Sequence, residues 1–322
     1  MIKSFVFSGG KLVGEDPGLD FVKTMLFDED AQIWVDLDSP TPEEARSVLE
    51  QIFNFHPLAI EDCIAVSEQP KIDEYEKYLF LVVHALHYTE AHSVAPLELN
   101  LFIGRNFLVT HHDQSLPSIR ATMERIKKNA SSVAKASDRL TYSILDVLFD
   151  RYEPAIESLA SDIAELERDV LENPNQDILS RVVQLKSEVR RFHQLVAPQR
   201  EVIARLARGE FKLVRPHLLP YYRDLLDRLK RIGDRTDTYR EMLTNILQIH
   251  LNLQQMEVNR VIKILTVLAT LSLPLVIITG FYGMNFDGMP ELNWKYPYLW
   301  ILFLAVASSA SIYWFLRKKR WL

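Results

Sequence analysis

The sequence predicts an α+β membrane protein. It is expected to have an N-terminal cytosolic α/β domain, helical arms, and a very long stalk helix that continues into the first of two C-terminal transmembrane helices. Residues 264–281 and 297–316 contain no charged side chain, and each run is long enough to cross a hydrocarbon layer about 30 Å thick as a helix. Upstream, short β-branched runs alternate with helix signals and then give way to heptad-like patterns. A purely soluble protein does not fit this pattern.

Charge divides the chain at the same place. Five of the 37 basic residues and two of the 43 acidic residues lie after Ile264, so the net charge is about −9 over the first 263 residues and +3 over the rest. An acidic soluble part suits cations and argues against nucleic acid, whose phosphates need a basic face. The single cysteine, Cys63, excludes a disulfide framework and a multi-cysteine zinc site. The first ten residues lack the features of a signal peptide, so we expect the part before the membrane to stay in the cytosol.

Residues 1–135 are interpreted as the cytosolic α/β domain. Strands are expected at Ile2–Phe7, Ile33–Leu37, Leu79–Tyr88, Leu97–Ile103 and Phe107–Thr110. The sequence Thr41-Pro42-Glu43-Glu44 has the form of a capping box with proline at the first helical position, which predicts a helix from there to about Phe53. Strands interleaved with helices indicate a small sheet covered by helices.

Residues 136–219 are predicted to form antiparallel helical arms. Apolar residues recur at alternating spacings of three and four on both sides of Asn173-Pro174-Asn175, which indicates two helices joined by a short turn. The two series are Ile156, Leu159, Ile163, Leu166 and Val170, then Ile178, Val182, Leu185, Val189, Phe192 and Val196. Seven acids crowd the exposed face of the first helix: Glu153, Glu157, Asp162, Glu165, Glu167, Asp169 and Glu172. That face is either an ordinary solvated helix surface or one that attracts cations.

Residues 220–283 predict the stalk helix and first transmembrane helix, because no helix breaker other than Gly233 precedes Pro274. Such a long helix needs neighbours against which to bury its apolar face. Residues 284–296 are expected to form an extracytoplasmic loop, 297–316 the second transmembrane helix and 317–322 a basic cytosolic tail. Basic residues flank both spans on the same side, so the positive-inside rule places both termini in the cytosol of a protein that crosses the inner or plasma membrane twice.

A stripe of uncharged polar residues on the stalk helix is the most specific local signal. Spacings of three or four, or their sums, place six of them on one face: Gln248, Asn252, Gln255, Asn259, Thr266 and Thr270. Ile262 and Leu273 continue that face. Unsatisfied polar groups are costly in hydrocarbon, so these side chains need water or one another. Several copies that each contribute this helix could line a channel; the alternative is a coiled coil whose polar core positions set the register.

The sequence Tyr282-Gly283-Met284-Asn285 follows the first span at the predicted outer surface. Gly283 can take the left-handed conformation that ends a helix, which would turn the Asn285 amide oxygen toward the axis of a ring. This motif, the Met289-Pro290-Glu291-Leu292 loop, the Leu273-Pro274 step and the terminal Lys-Lys-Arg-Trp-Leu together resemble the CorA-type magnesium/cobalt transporter family, which has a GMN motif and two transmembrane helices. The similarity of layout covers essentially the whole chain.

The resemblance implies a CorA-like funnel, a homopentamer that moves hydrated Mg²⁺, with Co²⁺ and Ni²⁺ as companions, inward and without a catalytic site. No cofactor is expected apart from Mg²⁺ as the transported and regulatory ion, and the implied partners are other copies of the chain, the lipid bilayer and divalent cations. By motif match, the selectivity filter would be Gly283, Met284 and Asn285. The resemblance places Asn259, Ile262, Leu265 or Thr266, and Leu273 at pore-lining positions, and the polar stripe adds Gln248, Asn252 and Gln255.

Gating in the family is thought to depend on Mg²⁺ held by acids between cytosolic domains, and here the match is mixed. Asp224 falls on the family's stalk acid, and Asp227 lies one turn further on. The usual partner near the end of the long strand falls at Thr89, with Glu90 beside it as a substitute ligand. Gln248 stands where relatives have an acid in the upper pore. These departures leave the regulatory site open.

Other functions remain open at this point. A zinc transporter of the same superfamily is the nearest alternative, since its members vary the middle residue of the motif, Met284 here. A membrane-anchored coiled-coil adaptor or sensor belongs to another class and would not need Asn285. An enzyme is not predicted, because no residues resemble a catalytic triad or an acid–base pair of carboxylates. The sequence His111-His112-Asp113 suggests a transition-metal site, but adjacent strand residues point to opposite faces. Asp36 and Asp38 are expected to cap local structure.

Overall fold

The computed structural model describes residues 1–65, 69–88, 94–130, 134–172, 177–284, 289–293 and 295–319. The chain divides into two compact units, Met1–Ile246 and Leu247–Leu322. The first unit holds a β-sheet, the helices that cover it and the arms. The second unit holds two long apolar helical segments.

A seven-stranded sheet lies at the centre of the first unit. Its strands are β1 (Ile2–Ser8), β2 (Lys11–Glu15), β3 (Ala31–Asp38), β4 (Lys71–Glu74), β5 (Tyr78–Tyr88), β6 (Val94–Gly104) and β7 (Phe107–His112). They are ordered β2-β1-β3-β7-β6-β5-β4; β3 and β7 pair in parallel, and the other neighbours pair antiparallel. All five predicted strands are confirmed. The two that were not predicted, β2 and β4, are short edge strands with mixed polarity.

One face of the sheet packs against helices α1 (Leu19–Met25), α2 (Pro42–Arg46) and α3 (Pro57–Ile64). Phe55, between α2 and α3, stacks on Phe102 of β6 with 4.2 Å between the ring centroids. Both rings are almost completely buried, and burial of a large apolar side chain stabilises a fold by about 1.5–3 kcal/mol. The predicted sheet with helical cover is therefore confirmed.

The helix predicted from Thr41 begins as expected and then changes type. Thr41 Oγ1 accepts a hydrogen bond from Glu44 N (3.2 Å), and the Glu44 carboxylate accepts one from Thr41 N (3.0 Å), which completes the capping box. After Arg46 the chain continues as a π-helix over Ser47–Ile52. The prediction of one α-helix to about Phe53 was therefore right in extent and wrong in type.

Helices α4 (Pro117–Lys128) and α5 (Ser137–Asp150) lead into the arms, α6 (Tyr152–Glu172) and α7 (Ile178–Ala207). Every apolar residue of the two predicted series is buried. Arg181 of α7 forms ion pairs with Glu165 and Asp169 of α6. The prediction of two paired arm helices is confirmed, and the turn at residues 173–176 lies outside the described residues.

A closed ring of hydrogen bonds ties the arms to the sheet. Tyr152 Oη donates to His84 O of β5 (2.7 Å), Gln199 Nε2 of α7 donates to Tyr152 Oη (2.5 Å), and His84 N donates to Gln199 Oε1 (3.2 Å). Burial raises the pKa of the Tyr152 hydroxyl well above its ordinary value, so this hydroxyl stays protonated and can donate. The ring satisfies polar groups in a site that excludes water, where unpaired groups would be costly.

The stalk helix α8 (Leu219–Tyr282) starts beside an ion pair in the first unit, in which the Asp138 carboxylate is buried and the Arg215 side chain is 42% exposed. Arg215 Nε and Nη2 donate to the two carboxylate oxygens of Asp138 (2.8 and 2.6 Å), and Arg215 N also donates to that carboxylate (3.1 Å). Tyr222 Oη donates to Asp138 O (3.0 Å). These bonds fix the first turns of α8 to the start of α5, and the predicted single helix to Tyr282 is confirmed.

The second unit contains the apolar half of α8, a 3₁₀ turn at Pro290–Asn293 and helix α9 (Pro297–Lys318). Ser309 Oγ donates to Leu271 O (3.1 Å), and Val267 and Ala305 are buried where the helices meet. In the most apolar window of each helix, only 11% and 6% of residues are buried. A core helix of a soluble protein would be mostly buried, so this exposure fits two spans in lipid.

Candidate ion-conduction site

The predicted polar stripe lies on one face of α8. All of its positions with a predicted pore-lining role are exposed in the single chain: Gln248, Asn252, Gln255, Asn259, Ile262, Thr266 and Leu273. Val267, which faces α9, is buried and lies about 100° around the helix from Thr266. Packing within one chain therefore leaves the polar face uncovered.

Hydrogen bonds within the stripe leave neutral oxygen acceptors on its surface. Gln255 Nε2 donates to Asn259 Oδ1 (3.1 Å). Thr266 Oγ1 donates to Ile262 O (2.8 Å), and Thr270 Oγ1 donates to Thr266 O (2.7 Å). A hydroxyl that donates to its own helix keeps its lone pairs available. The stripe can therefore accept hydrogen bonds from the waters around a cation without carrying a charge.

Leu265 and Thr266 cannot both face the same axis. Successive residues of an α-helix are about 100° apart, and α8 is continuous through this region. Thr266 lies about 20° from Asn259 and about 40° from Ile262 around the helix, whereas Leu265 lies about 120° and about 60° from them and is 66% exposed. Of the two alternatives that the resemblance implied, helix geometry favours Thr266.

The predicted conformation of Gly283 was wrong. Its φ is not in the left-handed region, and Gly283 N donates to Thr279 O (2.9 Å) in a continuing helical turn. A Cβ at this position would lie 2.8 Å from that carbonyl oxygen, so glycine is required here by close backbone approach. Met284 is 52% exposed, and Asn285, the third predicted filter residue, lies outside the described residues.

The two stalk acids with a predicted regulatory role already have cationic partners. Asp224 lies 3.8 Å from Arg228, and Asp227 lies 3.1 Å from Lys230; both carboxylates are more than half exposed. Thr89 and Glu90, the predicted strand-end position and substitute ligand, lie outside the described residues.

Arg228 is a residue that sequence reasoning missed. Its guanidinium pairs with Asp146 and Asp150 of α5 as well as with Asp224. Three carboxylates therefore share one cation. Burial and the charge of Asp150 raise the pKa of Asp146, and the guanidinium counteracts that rise. The i, i+4 spacing of Asp224 and Arg228 was the available signal.

The sequence His111-His112-Asp113 does not converge on one point, as the alternation of a strand predicts. His111 Nε2 lies 4.0 Å from Asp113, whereas His112 Nε2 lies 3.2 Å from the buried carboxylate of Asp36. Asp36 accepts a further hydrogen bond from Thr110 Oγ1 (2.5 Å). The expectation that Asp36 caps local structure was therefore wrong, because it pairs with His112 inside the sheet domain.

Within the described ranges, no group of three or more His, Cys, Asp or Glu side chains is arranged to hold a metal ion. The arm acids Glu165 and Asp169 are paired with Arg181. Cys63 is a buried free thiol whose pKa is raised by burial and by nearby carboxylates. Among the described residues, the neutral oxygen atoms along α8 are therefore the candidate contacts for a cation.

Comparison with known proteins identifies the family. Residues 29–318 match the profile described as CorA-like Mg²⁺ transporter protein, which is most of the chain. The chain belongs to the CorA-like Mg²⁺ transporter family. Proteins of this family are transporters or channels and not enzymes, so this CorA-like chain is a divalent-cation transporter.

Relatives of the CorA-like chain are similar along nearly its whole length. The Cobalt/magnesium transport protein CorA of Thermotoga maritima is 30% identical over 297 residues, which cover 92% of this chain and 85% of the relative. The structure of the CorA magnesium transporter from Methanocaldococcus jannaschii superposes with a TM-score of 0.82 at 23% identity and covers 99% of this chain and 98% of that chain. This second likeness confirms the fold with its sheet domain and long helix.

The ZntB cytoplasmic domain from Vibrio parahaemolyticus is a more distant structural neighbour of the CorA-like chain. It superposes with a TM-score of 0.59 at 16% identity and covers 70% of this chain and 88% of that domain. At this identity the likeness concerns the fold alone.

Proposed function

We propose that several copies of this CorA-like chain form a channel-like transporter that moves Mg²⁺, with Co²⁺ and Ni²⁺ as companions, into the cell. One observation carries the proposal. The neutral polar face of α8 is exposed in the single chain and continues into an apolar span. The amides of the face precede the span and Thr266 and Thr270 lie within it, where polar groups are costly against lipid. A ring of such faces would enclose water along this whole path.

The chemistry of the stripe suits an ion that keeps its water shell. Mg²⁺ dehydrates reluctantly and usually retains several waters. Amide and hydroxyl oxygens such as those of Asn259 and Thr266 can accept hydrogen bonds from that shell. Because they are uncharged, they bind the ion weakly enough to release it.

The membrane potential supplies the driving force in this proposal. A divalent ion that moves to a negative interior gains roughly 4.6 kcal/mol per 100 mV, which is twice the single-charge value. Arg260 and Lys263 precede the first span and Arg317 follows the second, which supports cytosolic termini in the inner or plasma membrane. The direction of transport is then inward.

The resemblance to CorA proteins supports five copies of the chain around one axis. Two spans per chain cannot surround a pore, so more than one copy must contribute α8. Asn285 of each copy would complete an outer ring with Gly283 and Met284. Replacement of Asn285 with Ala should abolish ion uptake while leaving assembly unchanged, whereas a membrane-anchored adaptor or sensor would keep its function.

The proposal also includes control of channel opening by cytosolic Mg²⁺. Asp224 and Asp227 are exposed carboxylates on α8, and a carboxylate such as Glu90 from another copy could complete an ion site with them. Mg²⁺ bound there would hold the sheet domains together, and its loss would favour the open channel. Arg228 competes with such an ion for Asp224.

Zinc is the second candidate substrate, which the family resemblance implies because zinc transporters of the same superfamily vary the middle residue of the motif, Met284 here. Zinc prefers nitrogen and sulfur ligands, whereas the described stripe presents amide and hydroxyl oxygens. The stripe therefore supports Mg²⁺ more strongly than Zn²⁺.

Uptake into proteoliposomes under an imposed potential tests the proposal. We expect potential-driven Mg²⁺ entry that Co²⁺ inhibits and that hexaamminecobalt, a mimic of the hydrated ion, blocks strongly. Entry of Zn²⁺ with no Mg²⁺ flux would favour the zinc alternative. Complete failure of hexaamminecobalt to inhibit would contradict recognition of the water shell.

A further inference from the structure

A groove between α7 and α8 in the first unit has a charged wall on each side. Its volume is about 520 Å³, which lies within the range of roughly 300–1,000 Å³ that is common for small-molecule sites. Val189 and Thr236 line it and are 2% and 1% exposed. Side chains along both walls project from helices, so their positions are fixed by rigid backbone.

The α7 wall presents Lys186 and Arg190. They are four residues apart, and like charges at this spacing destabilise a helix unless a counter-ion is near. In the part of the chain that the structure describes, neither forms an ion pair with a carboxylate. Arg181, five residues before Lys186 on the same helix, is paired with two acids. The two groove cations are thus available to an anion.

The α8 wall presents Asp237 and Glu241, which repeat the unfavourable spacing with the opposite charge. Asp237 lies 3.5 Å from Arg240 and 3.9 Å from His193. Glu241 has no ion pair among the described residues. Arg240 and His193 also line the groove and partly offset the charge of Asp237. Lys186 and Arg190 on one wall and Glu241 on the other remain without an ion pair among the described residues.

We propose that this groove binds a chelate of a divalent cation with an organic polyphosphate, of which a nucleoside triphosphate with Mg²⁺ is the simplest example. The phosphates would contact Lys186 and Arg190, since ammonium and guanidinium groups form charge-assisted hydrogen bonds to phosphate. The cation would lie toward Asp237 and Glu241, which offer the oxygen ligands that Mg²⁺ prefers. A bare polyanion is repelled by the α8 wall and a bare cation by the α7 wall.

This site goes beyond ion conduction and does not depend on it. The groove residues precede the apolar half of α8, so loss of the site would leave the polar stripe intact. Binding and uptake can accordingly fail independently of each other.

Equilibrium dialysis of the full-length chain in detergent against labelled ATP tests the proposal. We expect saturable binding when Mg²⁺ is present and at least about tenfold weaker binding when EDTA removes it. The double variant Lys186→Gln/Arg190→Gln should weaken Mg·ATP binding at least about tenfold. The exposed pair Arg120→Gln/Arg168→Gln removes the same charge outside the groove and should bind like the unmodified chain.

A second double variant separates a chelate site from a simple anion site. Asp237→Asn/Glu241→Gln removes the repulsion of a bare polyanion, so ATP in EDTA should bind to it more tightly than to the unmodified chain. Circular dichroism and elution volume should match among all variants. The proposal is wrong if Mg·ATP shows no saturable binding, if the groove and control variants bind equally, or if binding to the unmodified chain is independent of Mg²⁺.

Discussion

At the scale of single residues, Asn259 tests the conducting face. We expect Asn259→Leu to reduce Mg²⁺ uptake by about tenfold or more, because an apolar side chain removes both the amide acceptor for a hydrated ion and the partner of Gln255. Uptake into proteoliposomes at equal protein density measures the effect.

Val261→Leu is the matched control for this change. Val261 is 57% exposed and lies about 140° around α8 from the stripe. Its replacement should leave uptake unchanged. Equal loss in both variants would mean that the stripe has no special role.

His112 predicts a pH effect on stability. Nε2 faces Asp36 (3.2 Å) and Nδ1 faces Gln114 O (2.7 Å), so only the imidazolium can donate to both acceptors. Burial alone would lower the pKa of His112, but the hydrogen bond and charge of Asp36 outweigh it and raise the pKa. Because the folded value exceeds the unfolded one, this stability is complete below the unfolded value of about 6.5 and is lost as pH rises through the folded value.

The variant His112→Gln should therefore be less stable than the unmodified chain by about 1–3 kcal/mol in mild acid, with a smaller difference in mild alkali. Thermal unfolding in detergent across this range measures the difference. His111→Gln should show the opposite trend, because burial lowers the pKa of His111 despite Asp113, and its stability contribution falls as pH falls. Parallel trends in the two variants would contradict this assignment.

The partners of these residues mark the limit of sequence reasoning at this scale. The amides of the stripe follow from spacing alone, because one helix fixes their relative positions. The Asp36–His112 pair joins residues 76 apart, and the carboxylates Asp146 and Asp150 reach Arg228 from another helix. Such contacts depend on how β3 meets β7 and α5 meets α8, which local patterns do not encode.

At the scale of elements, the ion pair of Arg215 with the buried Asp138 carboxylate holds the base of α8. Asp138→Asn removes a charge that accepts three hydrogen bonds from Arg215. We expect it to lower the free energy of unfolding by about 1–2 kcal/mol, because Arg215 loses a charged acceptor, although its partly exposed guanidinium can be solvated by water. The midpoint of thermal unfolding in detergent measures this loss.

Asp234→Asn provides the comparison for that experiment. Asp234 is exposed on the same helix, so removal of its charge should change stability by no more than about 0.5 kcal/mol. A comparable loss in both variants would show that the pair at Asp138 is not special.

Element types were predictable where one periodicity dominated. The arm helices and α8 have long apolar repeats, so the two arm helices were predicted as a pair and the bounds of α8 to within one residue. The π-helix at Ser47–Ile52 was not, because the same apolar spacing fits an α-helix. The need for glycine just after α8 was also not predictable. It arises because a Cβ at position 283 would lie too close to Thr279 O, a distance that spacing along the chain does not give.

At the scale of the whole molecule, the proposal requires α8 helices of different copies to face one another. In a Cys63→Ser background, Asn252→Cys should form disulfide-linked dimers on mild oxidation in native membranes. A ring brings equivalent stripe residues close together, whereas packing within one chain leaves Asn252 exposed. Non-reducing electrophoresis measures the cross-linked fraction.

Glu257→Cys is the matched control for cross-linking. Glu257 lies half a turn around the helix from the stripe and is exposed. It should give little or no dimer. If Glu257→Cys cross-links as well as Asn252→Cys, the helices do not meet through their polar faces.

The sequence by itself determined the two spans, the arms, the stalk and the polar face, because each depends on spacing along one continuous element. The motif around Gly283 and the match to the family profile likewise depend only on the order of residues along the chain. Tertiary structure decided what sequence could not: the strand order, the pairing of His112 with Asp36, the three partners of Arg228 and the charged groove between α7 and α8. These features join residues far apart in the chain, and their energies depend on burial and distance, which exist only once the helices and strands have packed.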